Sequence, residues 1–455
     1  MEAPVSFFTN RNPEKEALCK FLQGNLYTKA IMDINGMSGM GKTQLLLWAY
    51  NQVKKTQITV AYYDFNNKAD IQYVDVLKSI SEQSNKDSIV PNMANSFTEN
   101  EKNIDDLCNA FNKELSEEIS SKRVVFFFDT TENATPETLE ILDTKIFPEH
   151  VNHGNLLITC SGEKPLNWRT ADIRKRRTTL SLNLFSKEES KEMIETLTTE
   201  YKINKIDNEI IELIQYLSDG NPGIIYESLN FLSQNFSLQY IDADIKKCNN
   251  LVKKLHSKIV DEKILPKLKN INIENVDNNK LISQIAMLRK VDLQSFRKLV
   301  ALNFPESFSK QNAFYYDTLL KSIHKQSSMF QSKDFSSGYV INRCVRKISQ
   351  LSKWLDQPKP FKCFQDEVSN YYKFLISKTN GIDQKSAIIE YLYTKYSKFP
   401  ALIKKTERNC NEFANELNEL IKSNLLQADS YERDAHLIDI RNAIEADDEL
   451  NELLT

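Results

Sequence analysis

Residues Gly36–Thr43 read GMSGMGKT and fit the phosphate-binding pattern G-x-x-x-x-G-K-[ST] at every fixed position. The short apolar stretch Lys29–Ile34 precedes them and predicts a buried strand, while Gln44–Tyr50 follows with the composition of a helix start. A glycine loop between a strand and a helix attracts anions, because its N–H groups and the positive end of the helix both face the ligand. The stretch therefore predicts a site for a nucleoside triphosphate or diphosphate.

The distribution of glycine supports this interpretation over a chance match. The chain has ten glycines in 455 residues, far below the roughly 7% that is usual, and three of the ten fall within Gly36–Thr43. In such a loop, Lys42 is expected to reach the β- and γ-phosphates and the Thr43 hydroxyl to ligate Mg²⁺.

Bulk composition limits the class of protein. A hydrophobic content of 41% and a charged content of 27% are ordinary for a globular chain. The net charge of −3 argues against a surface dominated by nucleic-acid or anionic-membrane binding. The seven cysteines form no C-x-x-C pair and indicate reduced thiols. No apolar run approaches the ~18 residues of a membrane span, and Met1–Pro4 shows no signal-peptide pattern. We expect a cytoplasmic protein without a membrane partner.

A second apolar stretch, Arg123–Asp129, ends in an acid. A continuous apolar run is typical of a central parallel strand, and Asp129 would lie at its carboxyl end, where Mg²⁺ is expected. The next residue is Thr130, where many hydrolysing P-loop proteins have a second acid. Glu132 is the only nearby candidate to polarise an attacking water. The alternative role for Glu132 is structural, as a cap or an ion-pair partner at the surface. Lys42, Asp129 and Glu132 are the predicted catalytic residues, with slow hydrolysis.

Three more strands are predicted at Ile58–Phe65, Asn155–Cys160 and Thr178–Leu182. Because they alternate with helical stretches, they predict a parallel sheet flanked by helices. Thr159 is expected to hydrogen-bond near the γ-phosphate. The basic run Arg174–Arg177 fits a solvated turn; the alternative is an anion contact, either to phosphate of a neighbouring subunit or to nucleic acid.

After residue 182 the predicted elements are mainly helical. Ser186–Glu189 is a capping box, and Asp219–Gly223 reads DGNPG, a fixed turn between two helices. The apolar positions of Leu281–Val300 predict one continuous helix, and Ser337–Ile341 has the pattern of a winged-helix hairpin. We predict an α/β P-loop nucleotide-binding domain over residues 1–183, a helical lid over 184–240, a winged-helix-like domain over 241–356 and an all-α C-terminal domain over 357–455.

Five pieces of sequence, spread over about residues 8–350, make the chain resemble the STAND-class signalling ATPases, the NB-ARC/NACHT-related branch of the AAA+ superfamily. They are Phe8–Arg11 with Glu14, similar to an adenine-contacting F-x-G-R segment; Gly36–Thr43, similar to a GMxGxGKT loop; Phe126–Asp129, similar to the Walker B strand; Thr159–Gly162 before Pro165, Leu166 and Trp168, similar to the sensor strand; and Gly220–Pro222, similar to the G-x-P turn of the lid.

The resemblance implies that the cofactors are ATP or ADP with Mg²⁺, and that Thr43 and Asp129 ligate the metal. The implied nucleotide contacts are Asn10, Arg11, Gly36, Met37, Gly39, Met40, Gly41, Lys42, Thr43, Gln44, Thr159 and Pro222. Two positions depart from the pattern. Ser161 or Glu163 stands where bacterial relatives often have an arginine, and Asn342 stands where many relatives have a histidine that contacts ADP. A weaker resting lock, or a different one, is expected.

The resemblance also implies a switch that is closed with ADP and opens with ATP to form a homo-oligomer, for instance in bacterial defence or regulation. Since the loop begins at residue 36 and few helices follow about residue 357, we expect either a truncated sensor in the tail or an effector or sensor that is a separate protein. Two rival hypotheses stay open. One is a DNA-binding ATPase resembling replication initiators, which also join an AAA+ core to a winged helix; the other is a housekeeping hydrolase whose turnover is its output.

Overall fold

The computed structural model describes residues 9–23, 29–56, 58–66, 72–84, 104–237, 239–241, 245–268, 278–303, 305–306, 312–326, 329–330, 338–396, 415–416, 418–420, 430–445 and 450–451. Two residues named in the sequence predictions, Phe8 and Ser337, lie outside these ranges. The chain forms two compact units. The first comprises Met1–Glu200 and Gly220–Tyr226, and the second comprises Tyr201–Asp219 and Glu227–Thr455.

The first unit is built on a five-stranded sheet with the order β2-β3-β4-β1-β5. All neighbouring strands are parallel. The strands are β1 (Ile31–Asn35), β2 (Thr59–Asp64), β3 (Val124–Asp129), β4 (Leu156–Gly162) and β5 (Arg177–Ser181). The α/β fold and all five predicted strands are confirmed, with ends shifted by a residue or two.

Helices cover both faces of this sheet. They are α1 (Asn12–Gln23), α2 (Lys42–Lys54), α3 (Gln72–Ser84), α4 (Ile104–Ser121), α5 (Pro136–Ile141), α6 (Phe147–His150), α7 (Ala171–Arg176) and α8 (Lys187–Glu200). Every residue of β3 is buried, as its apolar run predicts, and its alternate side chains belong to two different hydrophobic clusters. The predicted capping box of α8 is confirmed, since the Ser186 N–H donates to Glu189 Oε2 (2.8 Å) and the Glu189 N–H donates to Ser186 Oγ (3.1 Å).

The second unit is mainly helical. Its helices are α9 (Asn208–Ser218), α10 (Pro222–Asn235, of which 222–226 belong to the first unit), α11 (Ile245–His256), α12 (Asn278–Ile285), α13 (Leu293–Asn303), α14 (Ala313–Gln326), α15 (Arg343–Asp356), α16 (Pro358–Ile376), α17 (Gly381–Tyr396) and α18 (Ser430–Glu445). Among the described residues, no helix is long and apolar enough to cross a membrane.

The continuous helix predicted for Leu281–Val300 is wrong. The strand β6 (Lys290–Val291) interrupts it and pairs antiparallel with β7 (Tyr339–Val340), and Phe330 forms a bridge with Ile341. The break has a local cause, because Asp292 starts α13 as a capping residue. Its carboxylate accepts from the Ser295 N–H at 2.7 Å, and its own N–H donates to Ser295 Oγ at 2.9 Å. The winged-helix designation and the four domain boundaries stay predictions.

The Phe128→Ala substitution tests the packing that supports the sheet. Phe128 is 1% exposed and its ring lies within 6.3 Å of the rings of Phe65, Phe126 and Phe147. Removing it should lower the free energy of unfolding of the first unit by about 3–5 kcal/mol, measured by urea denaturation. The matched change Phe314→Ala, at a side chain that is 77% exposed, should shift stability by no more than about 0.5 kcal/mol. Equal effects of the two variants would contradict the packing.

Candidate nucleotide-binding site

The predicted phosphate loop leaves the carboxyl end of β1 and leads into α2. Gly39 and Gly41 both have a φ of 86°, a left-handed conformation that favours glycine. Gly41 is the residue directly before the first turn of α2. The loop therefore has the backbone that its sequence predicts, with N–H groups and a helix N-terminus available to an anion.

Lys42 lies against the loop. Its ammonium donates to the carbonyl oxygens of Gly36 at 2.7 Å and Met37 at 3.0 Å. The side chain of Thr43 is exposed and that of Gln44 is partly exposed. A phosphate at the loop would offer the Lys42 ammonium a charged partner, and charge-assisted hydrogen bonds are stronger than those to neutral carbonyls.

Asp129 is held at the end of β3 by three donors. The Tyr62 hydroxyl donates to its Oδ2 at 2.8 Å and the Thr130 N–H donates to its Oδ1 at 2.9 Å. The Ser161 hydroxyl also donates to Oδ1. Burial, and then the charge of Asp129, raises the pKa of Tyr62, so Tyr62 stays a hydroxyl donor. A hydroxyl and a carboxylate are oxygen ligands of the kind that Mg²⁺ takes, together with phosphate and water oxygens; the assignment of Thr43 and Asp129 as its ligands stays a prediction.

The strand order explains how Ser161 reaches this acid. β4 lies between β1 and β3, and Ser161 pairs with Ile34 of β1 just before the loop begins. The Gly36 N–H continues this pairing by donating to the Gly162 carbonyl at 3.3 Å. Ser161 thus lies between the phosphate loop and the predicted metal ligand.

The predicted contact of Thr159 with the γ-phosphate is not supported. Thr159 pairs with Met32 and Phe127 in the interior of the sheet and is completely buried. The strand continues to Gly162, so Thr159 is about 10 Å short of its end at ~3.3 Å per residue. The sequence prediction ended the strand too early. The change from apolar to polar residues at Cys160–Gly162 had indicated the end of the strand. Polar residues can nevertheless continue a buried strand when they have hydrogen-bond partners, as Ser161 does.

Glu132 lies beside β4 in the short helical turn Thr131–Asn133. Thr130 has a φ of 56°, which turns the chain sharply after Asp129. The backbone N–H of Glu163 donates to Glu132 Oε2 at 3.3 Å. Burial raises the pKa of Glu132, and the charge of Lys42 acts in the opposite direction. The structure therefore brings this predicted base near the phosphate loop.

The N-terminal segment contacts the loop directly. Arg11 is 4% exposed, and its Nη2 donates to the Met40 carbonyl at 3.2 Å. Its Nη1 pairs with Glu14 Oε1 at 2.9 Å, and the guanidinium lies 4.5 Å from the centre of the Phe185 ring. Asn10 instead donates to the Glu189 carbonyl at 3.0 Å. The adenine contacts predicted for Asn10 and Arg11 stay predictions.

The turn that carries Pro222 also meets the loop, within the first unit. Asn221 Nδ2 donates to the Ser38 carbonyl at 3.0 Å, and the Gly223 N–H donates to the Gly39 carbonyl at 2.8 Å. The approach is close enough to exclude side chains, since a Cβ added at Gly39 would lie 2.5 Å from Asn221 Oδ1. Pro222 is the first residue of α10. The sequence identified the turn but not the two donors beside the proline.

Asn342 belongs to the second unit. It caps α15, where its side chain accepts from the Val345 N–H at 3.2 Å. Its predicted part in a resting lock stays a prediction.

Comparisons with known proteins show what this site and its fold are similar to. Residues 8–228, just under half of the chain, match the family model for an ATPase domain predominantly from Archaea. The solved structure of the Walker-type ATPase PABY2304 of Pyrococcus abyssi is similar at 16% identity and a TM-score of 0.52, covering 77% of this chain and 98% of its own. Cdc6p of Pyrobaculum aerophilum matches at 13% identity and a TM-score of 0.43, covering 80% of this chain and 96% of its own. The RuvB Holliday junction branch migration motor of Thermotoga maritima matches at 14% identity and a TM-score of 0.38, covering 75% of this chain and 95% of its own. No curated protein matches.

The phosphate-loop motif and the parallel sheet define a P-loop nucleotide-binding fold, and residues 8–228 are similar to the ATPase domains predominantly from Archaea. At 16% identity, the similarity to the Pyrococcus ATPase shows a shared fold, and the other two scores add nothing further about this chain.

The raised pKa of Glu132 predicts a pH dependence of ATP hydrolysis. As a base, Glu132 must be deprotonated, so its activity is present above the raised pKa and is lost as pH falls through it. The acid limb of kcat/KM should therefore lie above the ordinary glutamate value of 4.5. Glu132→Gln should reduce the rate by about 10²–10⁴-fold.

Glu163→Gln is the matched control. It removes a neighbouring charge that raises the pKa of Glu132 but leaves the backbone N–H that donates to the Glu132 carboxylate. This variant should keep the rate and move the acid limb to lower pH. Full activity of Glu132→Gln would contradict the assignment of the base.

Proposed function

We propose that this chain binds ATP and ADP with Mg²⁺ at Gly36–Thr43 and works as a nucleotide switch with slow hydrolysis. The observation that carries the proposal is the pair of hydrogen bonds from Asn221 and Gly223 to the loop carbonyls of Ser38 and Gly39. They make the position of the turn depend on the loop, and the loop is the part that receives phosphate. A change of nucleotide therefore has a direct route to α10.

The side chains divide the work at the phosphates. Lys42 exchanges its carbonyl partners, Gly36 and Met37, for phosphate oxygens. Thr43 and Asp129 would hold Mg²⁺, which would supply charge neutralisation at the phosphates. Tyr62 and Ser161 keep the Asp129 carboxylate in one orientation through their hydroxyl donors. Glu132 orients the attacking water and accepts its proton.

The arrangement around Glu132 supports slow rather than rapid hydrolysis. The residue next to Asp129 is Thr130, which carries no carboxylate, so the base comes from the following turn. There Glu132 accepts from the Glu163 N–H at 3.3 Å, a hydrogen bond that stabilises its present position. A base that must give up this hydrogen bond to act on a water does so in only part of the molecules, which would lower kcat. A slow rate suits a switch, because it prolongs the triphosphate state.

The first residue of the turn, Asp219, belongs to the second unit and pairs with charged groups there. Asp219, the residue before Gly220, pairs with Lys347 at 2.7 Å and lies 3.9 Å from Arg343. Both cations are on α15. We infer that nucleotide exchange at the loop alters the turn and, through Asp219, the helices of the second unit. The resemblance to STAND ATPases supports homo-oligomerisation in the ATP state and recruitment of a separate effector or sensor protein as the output.

The nucleotide content of the purified protein tests the switch. Protein denatured immediately after purification should release close to one equivalent of ADP, resolved by chromatography, because a closed switch retains its product. The Lys42→Ala variant should release none, since it lacks the cation that binds the β-phosphate. An empty wild-type site with steady, rapid ATP turnover would contradict the switch and favour a housekeeping hydrolase.

A second candidate function is a DNA-binding ATPase. It is favoured by the order helix, strand, helix, helix, strand in the second unit, with β6 and β7 antiparallel, which fits a winged helix. The third helix, α14, exposes Phe314, Thr318, Lys321 and Lys325. Lys321 is paired with Asp317 at 2.6 Å, so this face carries little net charge, which is why we rank the candidate second.

Binding to a duplex oligonucleotide tests this candidate. A DNA-binding protein should bind at low salt and lose affinity steeply as salt rises. The double variant Lys321→Ala with Lys325→Ala should weaken binding and reduce the salt slope. Absence of binding at low salt, in the presence of ATP and of ADP, would remove the candidate.

A further inference from the structure

Donors hold five consecutive carbonyl groups of the phosphate loop, those of residues 36–40. Lys42 takes those of Gly36 and Met37. Donors from outside the loop take the next three: Asn221 Nδ2 binds the Ser38 oxygen at 3.0 Å, the Gly223 N–H binds that of Gly39 at 2.8 Å, and Arg11 Nη2 binds that of Met40 at 3.2 Å. Two segments more than 200 residues apart in the sequence thus converge on three consecutive peptide groups.

Fixing a carbonyl also fixes the neighbouring N–H group. A trans peptide is planar, so the N–H of each residue points opposite to the carbonyl of the residue before it. The bond to the Ser38 oxygen therefore sets the direction of the Gly39 N–H, and the bond to the Met40 oxygen sets that of the Gly41 N–H. Because Gly39 and Gly41 have no side chains to restrict rotation of their peptide groups, external donors are what can hold these groups in one orientation.

The side chains of Arg11 and Asn221 are both buried and restrained by further contacts. Arg11 is 4% exposed and Asn221 is 3% exposed, and both have further contacts that restrict them. Glu14 and the Phe185 ring hold the Arg11 guanidinium. Asn221 Oδ1 accepts from the Gly223 N–H at 3.0 Å and the Ile224 N–H at 3.3 Å, which leaves its amide to face the loop.

We propose that Arg11 and Asn221 are positioning residues for phosphate binding, which hold the loop carbonyls outward so that the loop N–H groups stay directed at the anion. The inference rests on the proposed nucleotide site and adds a specific claim. Both residues act on the phosphate portion of any ligand, whatever its base. For Arg11 this differs from the adenine contact that the STAND resemblance implies.

Asn221→Asp separates the two roles of the asparagine. The carboxylate keeps an acceptor for the Gly223 and Ile224 N–H groups and suits a helix N-terminus, but it lacks the donor to the Ser38 carbonyl. Losing one such hydrogen bond should weaken binding by about three- to tenfold. The factor should be equal for ATP, ADP and inorganic tripolyphosphate, each measured with Mg²⁺ by calorimetry. The ligand-free variant should stay folded, with a melting temperature lower by only about a few degrees because one buried hydrogen bond is lost.

Asn155→Asp is the matched control. Its amide also donates to a backbone carbonyl, that of Ile119 at 2.7 Å. Asn155 directly precedes β4, however, at the amino ends of the parallel strands, whereas the loop lies at their carboxyl ends. This variant should bind all three ligands as the wild type does. Arg11→Met, which keeps an apolar stem for Phe185, should weaken all three ligands alike.

Three results would overturn the inference: unchanged binding by Asn221→Asp, a loss in Arg11→Met that affects ATP and ADP but spares tripolyphosphate, or a wild-type protein that binds ATP but not tripolyphosphate. The second result would establish an adenine contact for Arg11. A folded wild-type protein that binds none of the three ligands would instead refute the proposed nucleotide site itself, and the inference with it.

Discussion

The orientation of a few peptide groups in Gly36–Thr43 is the constraint on which the rest of the site depends. An anion can be bound by backbone only if the N–H groups face it and the carbonyls face away, and the left-handed Gly39 and Gly41 permit that arrangement without enforcing it. The donors that hold the carbonyls come from Lys42, Arg11 and the turn at Asn221 and Gly223. This explains why distant segments of the chain converge here.

The sheet supplies the second half of the site. Because β4 lies between β1 and β3, Ser161 stands between the loop and Asp129 and donates to the acid. Tyr62 reaches the same carboxylate from β2, so strands on both sides of β3 fix its orientation. Gly162 follows Ser161 and leaves room for Thr131 and Glu132, since a Cβ there would lie 2.3 Å from Thr131 Oγ1. Strand order and residue size together decide where the predicted metal ligand and the predicted base lie.

Much of this was predictable from the sequence because it depends on local pattern. The loop motif, the five strands and the capping box at Ser186–Glu189 are each specified by neighbouring residues. The errors arose where tertiary contacts decide. Thr159 was expected at the site because apolarity cannot show that a strand continues through Ser161. A single helix was expected across Leu281–Val300 because the apolar spacing outweighed the local Asp292 cap, and the pairing of β6 with the distant β7 cannot be read from neighbouring residues. The hydrogen bonds that Arg11 and Asn221 donate to the loop could not be predicted from the sequence either, since they depend on the folded backbone.

Coupling between the loop and the turn is the central claim, and hydrogen–deuterium exchange measures it directly. Peptides covering 36–43 and 219–226 would be followed in the same protein with and without ADP and Mg²⁺. If the loop carbonyls link the two segments, ligand should slow exchange in both, because ordering the loop stabilises the N–H bond of Gly223 to the Gly39 carbonyl. Slower exchange in the loop with no change at 219–226 would contradict the coupling.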